Sequence, residues 1–173
     1  MKFFIIIKEH SERIIGKNFI KLGGIPLWKH LIYELKGKKV YIDTDSSKII
    51  KECKSLDWVT AYPRKQEFID YELNSSKNLS PVLMMINNFL DTYVKDSNEI
   101  IVTPHVTSPF LKQKTIEEAT TKLYEGYDSV HSVTRHQEFS YYRGNPINFN
   151  KDVVQKTQDL EPIIMSNGAF FIF

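Results

Sequence analysis

The chain opens on an unbroken apolar run, Phe3-Phe4-Ile5-Ile6-Ile7. Aromatic and β-branched residues over so short a span predict a central strand covered on both faces. The run is far too short to cross a membrane and lacks the small-residue cleavage site of a signal peptide. Lys38 to Asp43 predicts a second strand, Trp58 to Tyr62 a third and Glu99 to Thr103 a fourth. Helical patterns lie between them. Val82, Met85, Ile86, Phe89, Leu90 and Tyr93 form one apolar stripe at helical spacing, with Ser80 placed as its N-cap and Pro81 in its first turn. Leu27, Leu31, Ile32 and Leu35 repeat the stripe after Pro26, and Ile116, Ala119 and Leu123 do so ahead of Gly126. Strands alternating with helices in this way predict an α/β fold: an open, mostly parallel sheet with helices on both faces, in three α/β/α layers. A fifth strand is expected over Asp128 to Val133. Residues 134–166 then break into short polar and aromatic pieces, predicting an excursion from the sheet before a last strand, Ala169 to Phe173.

Composition narrows the class. The 173 residues are 42% hydrophobic and 25% charged, as expected for one globular domain spanning 1–173. Seven Gly, seven Pro and 13% aromatics exclude collagen-like and disordered chains. The net charge of +2 gives no footprint for a nucleic acid, so an electropositive site has to come from local placement. Cys53 is the only cysteine, cannot form an internal disulfide and suits a reducing cytoplasm. No Cys/His spacing resembles a zinc site.

In such a sheet ligands bind at the carboxyl ends of the strands, which directs attention to the loops after Ile7, Asp43, Tyr62 and Thr103. The first loop, Lys8 to Asn18, gathers Lys8, Arg13 and Lys17 with Ser11, Gly16 and Asn18 directly after a buried strand. Cations, a hydroxyl and free backbone N–H groups can surround a polyphosphate. The same residues also suit a solvated basic loop, and residue type alone leaves both readings open. Two standard phosphate motifs are absent. Gly16-Lys17 is followed by Asn18 and lacks the spacing of a P-loop, while Gly23-Gly24 is an isolated pair read as a turn ahead of Pro26.

The ordered segments carry a resemblance. Ser11-Glu-Arg-Ile-Ile-Gly-Lys-Asn18 and Leu22-Gly-Gly-Ile-Pro-Leu27 resemble the opening signature of the CMP-sialic acid synthetase (N-acylneuraminate cytidylyltransferase) family. Asp43-Thr-Asp-Ser46, Arg64, Thr107-Ser-Pro109, Asp128-Ser-Val130, Gln158-Asp-Leu160 with Pro162, and Asn167-Gly-Ala169 resemble its later motifs in the same order. The resemblance implies a Rossmann-like nucleotide-diphospho-sugar transferase fold. It also implies transfer of CMP from CTP to a 2-keto sugar acid of sialic-acid or Kdo type, with release of pyrophosphate. Arg13 and Lys17 would stabilise the charge developing in the transfer. Lys8, Ser11, Asn18 and Arg64 would bind CTP. Ser80 is claimed both as helix cap and as a CTP contact. His105, Thr107, Ser108, Gln158 and Asn167 would face the sugar-acid substrate. Further implications are a cytoplasmic homodimer joined through 134–166, where Tyr141, Tyr142, Ile147 and Phe149 offer apolar contacts, and an accompanying Mg²⁺.

The departures from the family pattern are as informative. Lys8 stands where the family has Arg, which keeps the charge but not the planar fork. His10 replaces a glycine, and His105-Val106 replace Gln-Pro, which concerns the acceptor more than the fold. The family's metal-binding carboxylates follow the Asn-Gly-Ala strand, and the sequence stops at Phe173 inside it, so a C-terminally truncated chain is expected and no metal ligand is named. Two other functions stay compatible with the residues: a sugar-1-phosphate nucleotidyltransferase using another base, and a non-catalytic nucleotide-binding or scaffold domain.

Overall fold

The apolar run forms β1 (Lys2–Ile7), in which Phe3, Ile5 and Ile7 face one side and Phe4 the other, all fully buried. The structure is a computed structural model that describes residues 1–11, 13–74 and 80–173. After β1 come a two-stranded ribbon, β2 (Lys21–Leu22) and β3 (Ile25–Pro26), then α1 (Leu27–Glu34), β4 (Lys39–Thr44), α2 (Ser47–Cys53) and β5 (Val59–Pro63). The chain continues through α3 (Gln66–Asn74), α4 (Val82–Tyr93), β6 (Ile101–Pro104), α5 (Gln113–Thr120), β7 (Val130–His136), a small hairpin of β8 (Tyr141–Tyr142) and β9 (Asn145–Pro146), and β10 (Ile163–Ile172). Six strands make the main sheet in the order β5-β4-β1-β6-β10-β7. The first four run parallel, and β10 is antiparallel to both its neighbours.

Helices cover both faces. Trp28, Leu31 and Ile32 of α1, Ile49 and Cys53 of α2 and Ile116 of α5 pack on one face with Ile5, Ile42 and Val102. Phe68 of α3 and Met85 and Phe89 of α4 pack on the other, where Phe4 stacks on Phe89 with ring centroids 4.5 Å apart. Burial of these large apolar side chains is the main force holding the layers together.

Three elements differ from expectation. Pro81 stands at the N-cap of α4 rather than inside its first turn, its carbonyl accepting from Met85 N–H at 3.0 Å. The Ser80 hydroxyl still accepts from Val82 N–H at 3.4 Å, so the start of the helix is displaced by one residue with its polar partner kept. Helix α3 carries one buried residue, Phe68, and so shows no apolar stripe in the sequence. The last strand begins six residues before Ala169, because Ile163–Ser166 pair with Val133–His136. That stretch has both faces largely exposed, and burial therefore imposes no alternation on it. The excursion leaves the sheet only between His136 and Ile163.

Candidate nucleotide site

Going outward from β1, the strand order moves through β4 on one side and β6 on the other. The crevice at their carboxyl ends is thus a topological switch point, where α/β sheets bind ligands. A cavity of about 590 Å³ lies there, walled by the first loop, the end of β6, α4 and β10.

Local chemistry shapes the first loop. The Asn18 amide, itself buried, donates from Nδ2 to the Lys8 carbonyl at 2.7 Å and ties the two ends of the loop together. Gly16 turns the chain at φ +63°, and its carbonyl accepts from Phe19 N–H at 2.8 Å. A side chain there would be strained, so glycine is required by the backbone. Asp45 Oδ1 accepts from Glu9 N–H at 2.7 Å and anchors the rising limb of the loop to the end of β4. This framework brings Lys8, Ser11, Arg13, Lys17 and Asn18 onto one cavity wall. Lys8 is also ion-paired with Glu72 of α3.

Opposite them stand His105 and Thr107, beyond the end of β6. His105 is pinned at both backbone groups: its N–H donates to Ala169 O at 2.9 Å and its carbonyl accepts from Ser108 N–H at 3.0 Å. Partial burial, and secondly the charge of Lys17, hold its pKa below the ordinary 6.5. Much of the remaining lining is apolar, with Phe4, Ile6, Val82, Leu83, Ile86, Phe171 and Phe173. Alternation in the last strand is the signal for part of that wall: Phe170 and Ile172 are buried toward α1 and α5, which turns Phe171 and Phe173 to the cavity.

Five of the candidate residues lie away from the cavity lining. Arg64 is fully buried, donating from Nε to Asp43 Oδ1 at 2.7 Å and from Nη2 to the Ile7 and Asp43 carbonyls, both at 3.4 Å. It braces the ends of β1 and β4 from beneath. Burial pushes the Asp43 carboxyl upward in pKa against the pull of the guanidinium. Ser80 is exposed and engaged with the start of α4. Ser108 forms the turn after His105, its carbonyl accepting from Leu111 N–H at 3.1 Å. Gln158 is exposed at the base of the excursion, where its carbonyl accepts from Gln137 Nε2 at 2.7 Å. Asn167 organises a bulge in β10, accepting from Ser132 Oγ at 2.6 Å and donating to Thr134 Oγ1 at 3.2 Å.

No set of three metal-binding side chains is gathered among the described residues. The described cavity lining also holds no carboxylate, so it does not supply the ligands a Mg²⁺ ion would need.

Comparisons with known proteins agree with this geometry. The chain is 26% identical to N-acylneuraminate cytidylyltransferase A of Danio rerio over 96% of its own length and 40% of the relative's. The chain thus spans about two fifths of that protein. Among solved structures, a CMP:2-keto-3-deoxy-manno-octonic acid synthetase complexed with CTP superposes with a TM-score of 0.63 at 11% identity, covering 99% of this chain and 72% of the other. The 4-diphosphocytidyl-2C-methyl-D-erythritol synthase of Anaerococcus prevotii superposes with a TM-score of 0.56 at 13% identity, covering 99% and 69%. At those identities the likeness is one of fold, the Rossmann-like fold of nucleotidyltransferases. The cytidylyltransferase family profile matches residues 5–159, from the first buried strand to the foot of the excursion, and on that match the chain belongs to the cytidylyltransferase family.

Proposed function

We propose that the cavity binds CTP and that the protein transfers CMP to a 2-keto sugar acid, releasing pyrophosphate. The observation that carries this reading is the convergence of Lys8, Arg13 and Lys17 on one cavity at the switch point, with no carboxylate among the described lining residues. Transfer of a phosphoryl-type group needs positioning and neutralised charge more than covalent help, and three cations beside a backbone turn meet that need. The acceptor class follows the relatives, one named for N-acylneuraminate and one for 2-keto-3-deoxy-manno-octonic acid.

Arg13 and Lys17 are assigned to the phosphates. When the triphosphate enters, Lys8 exchanges Glu72 for phosphate oxygens. Ser11 hydrogen-bonds a phosphate oxygen, and Asn18 keeps the loop closed. Mg²⁺ is proposed to accompany the nucleotide as part of the substrate, and the described lining adds no carboxylate to it. We further propose a homodimer through the excursion, where Phe149 packs edge-on against Phe139 and Tyr141 and leaves Tyr141, Tyr142 and Ile147 exposed. A cytoplasmic location is proposed from the lone Cys53; among the described residues no helix is long and apolar enough to cross a membrane.

The test is pyrophosphate release from CTP with N-acetylneuraminate, 3-deoxy-manno-octulosonate or a hexose 1-phosphate as acceptor. Release with a 2-keto acid supports the reading. Release with the hexose 1-phosphate alone reassigns the acceptor.

A further inference from the structure

When the hydroxyl of an acceptor attacks the α-phosphate, it must give up a proton, and the cavity offers few places for that proton to go. Lys8, Arg13 and Lys17 are donors with no acceptor to offer, and the hydroxyls of Ser11, Thr103 and Thr107 are far too weakly basic. Among the described lining residues His105 alone carries a side chain that accepts a proton near neutral pH.

The ring is held for that task. Both backbone groups of His105 are hydrogen-bonded, and the β10 bulge passes beside the ring. Gly168, at φ +64°, lies so close that a Cβ there would stand 3.8 Å from Nδ1. Phe171 flanks the ring at 6.1 Å between centroids and itself stacks on His131 of β7 at 5.8 Å.

We propose that His105 is the general base of the transfer, an assignment that rests on the cavity being the CTP site. The imidazole takes the proton of the acceptor hydroxyl. The oxygen's electron pair forms the new bond to the α-phosphorus, the bond from that phosphorus to the bridging oxygen breaks, and pyrophosphate leaves with its electrons. The imidazolium then returns its proton to water. The charged groups that line the same cavity are Lys17 and Arg13 from the first loop and Lys8 from the end of β1, the last paired with Glu72, and the His131 ring lies beyond Phe171. Partial burial first, and the charge of Lys17 second, favour the neutral ring, which is able to accept.

The experiment follows pyrophosphate release by the full chain from CTP with N-acetylneuraminate and with 3-deoxy-manno-octulosonate, as a function of pH, in wild type, His105→Gln and His105→Ala. CTP affinity is measured alongside. Wild-type kcat is expected to show an acidic limb where the imidazole protonates. His105→Gln should bind CTP as wild type does, lose about 10²- to 10⁴-fold in kcat and lose that limb. Added imidazole should restore turnover to His105→Ala, which a purely structural role would not allow. A His105→Gln enzyme that keeps both kcat and the acidic limb overturns the assignment and leaves the CTP reading standing. Absence of pyrophosphate from wild type with either acid overturns the transfer reading and the base with it.

Discussion

Arg64 turns its guanidinium inward, onto Asp43 and the carbonyl that ends β1, and thereby holds the floor of the site rather than its lining. Asp43 Oδ2 and the Tyr62 hydroxyl beside it are buried with no hydrogen-bond partner among the described residues, so this small polar cluster depends heavily on the ion pair. Arg64→Met should therefore destabilise the protein by about 3–5 kcal/mol by leaving an unpaired buried carboxylate, and Asp43→Asn added to it should recover part of the loss. Urea unfolding of both variants measures this; a double variant no more stable than Arg64→Met would contradict the brace. Sequence could not separate a phosphate clamp from a brace, because both use an arginine at a strand end and only burial distinguishes them. That Arg13 and Lys17 line the cavity was legible because a glycine-turned loop directly after a buried strand ends at the carboxyl edge of the sheet. Truncating either to Ala should weaken CTP binding by about 1.5–3 kcal/mol, read by calorimetry, with the melting temperature unchanged.

At the scale of elements, α1 and α5 are joined by Glu34, which accepts from Lys112 Nζ at 3.0 Å and from the Gln113 backbone N–H at 3.1 Å. The Lys112 bond first, and the Gln113 N–H second, lower its pKa below the ordinary 4.5. A depressed carboxyl contributes stability above its unfolded value, and that stability is lost as pH falls through the folded one. Glu34→Gln should accordingly flatten the fall in melting temperature below pH 4.5, and an unchanged slope would remove Glu34 from the acid response. Gly16→Val places a β-branched residue at φ +63° and should cost about 1–2 kcal/mol, with a further loss of CTP affinity as Lys17 is displaced. The buried strands were legible as short unbroken runs of aromatic and β-branched residues, and the stripe of α4 because its apolar residues obey a period. Helix α3 and the first half of β10 were not: one anchors by Phe68 alone, and the other is fixed by pairing with β7 on a largely exposed ribbon.

For the whole molecule, the layer order and the position of the site followed from strands alternating with helices, since a switch point is a property of topology and not of any one residue. The base of the cavity was hidden, because it is assembled from β1, α4 and β10, which lie far apart in the chain. The excursion carries the proposal about assembly. Light scattering should report a dimer, and charges introduced at exposed Tyr141 and Ile147 should yield a folded monomer. The most direct measurement is calorimetric titration of the protein with CTP, UTP and GTP. The cytidylyltransferase reading predicts that CTP binds at least about tenfold more tightly than the other two, about 1.4 kcal/mol, and that Lys17→Ala weakens this binding by about 1.5–3 kcal/mol. Equal affinity for all three nucleotides, or no binding of CTP, would contradict it.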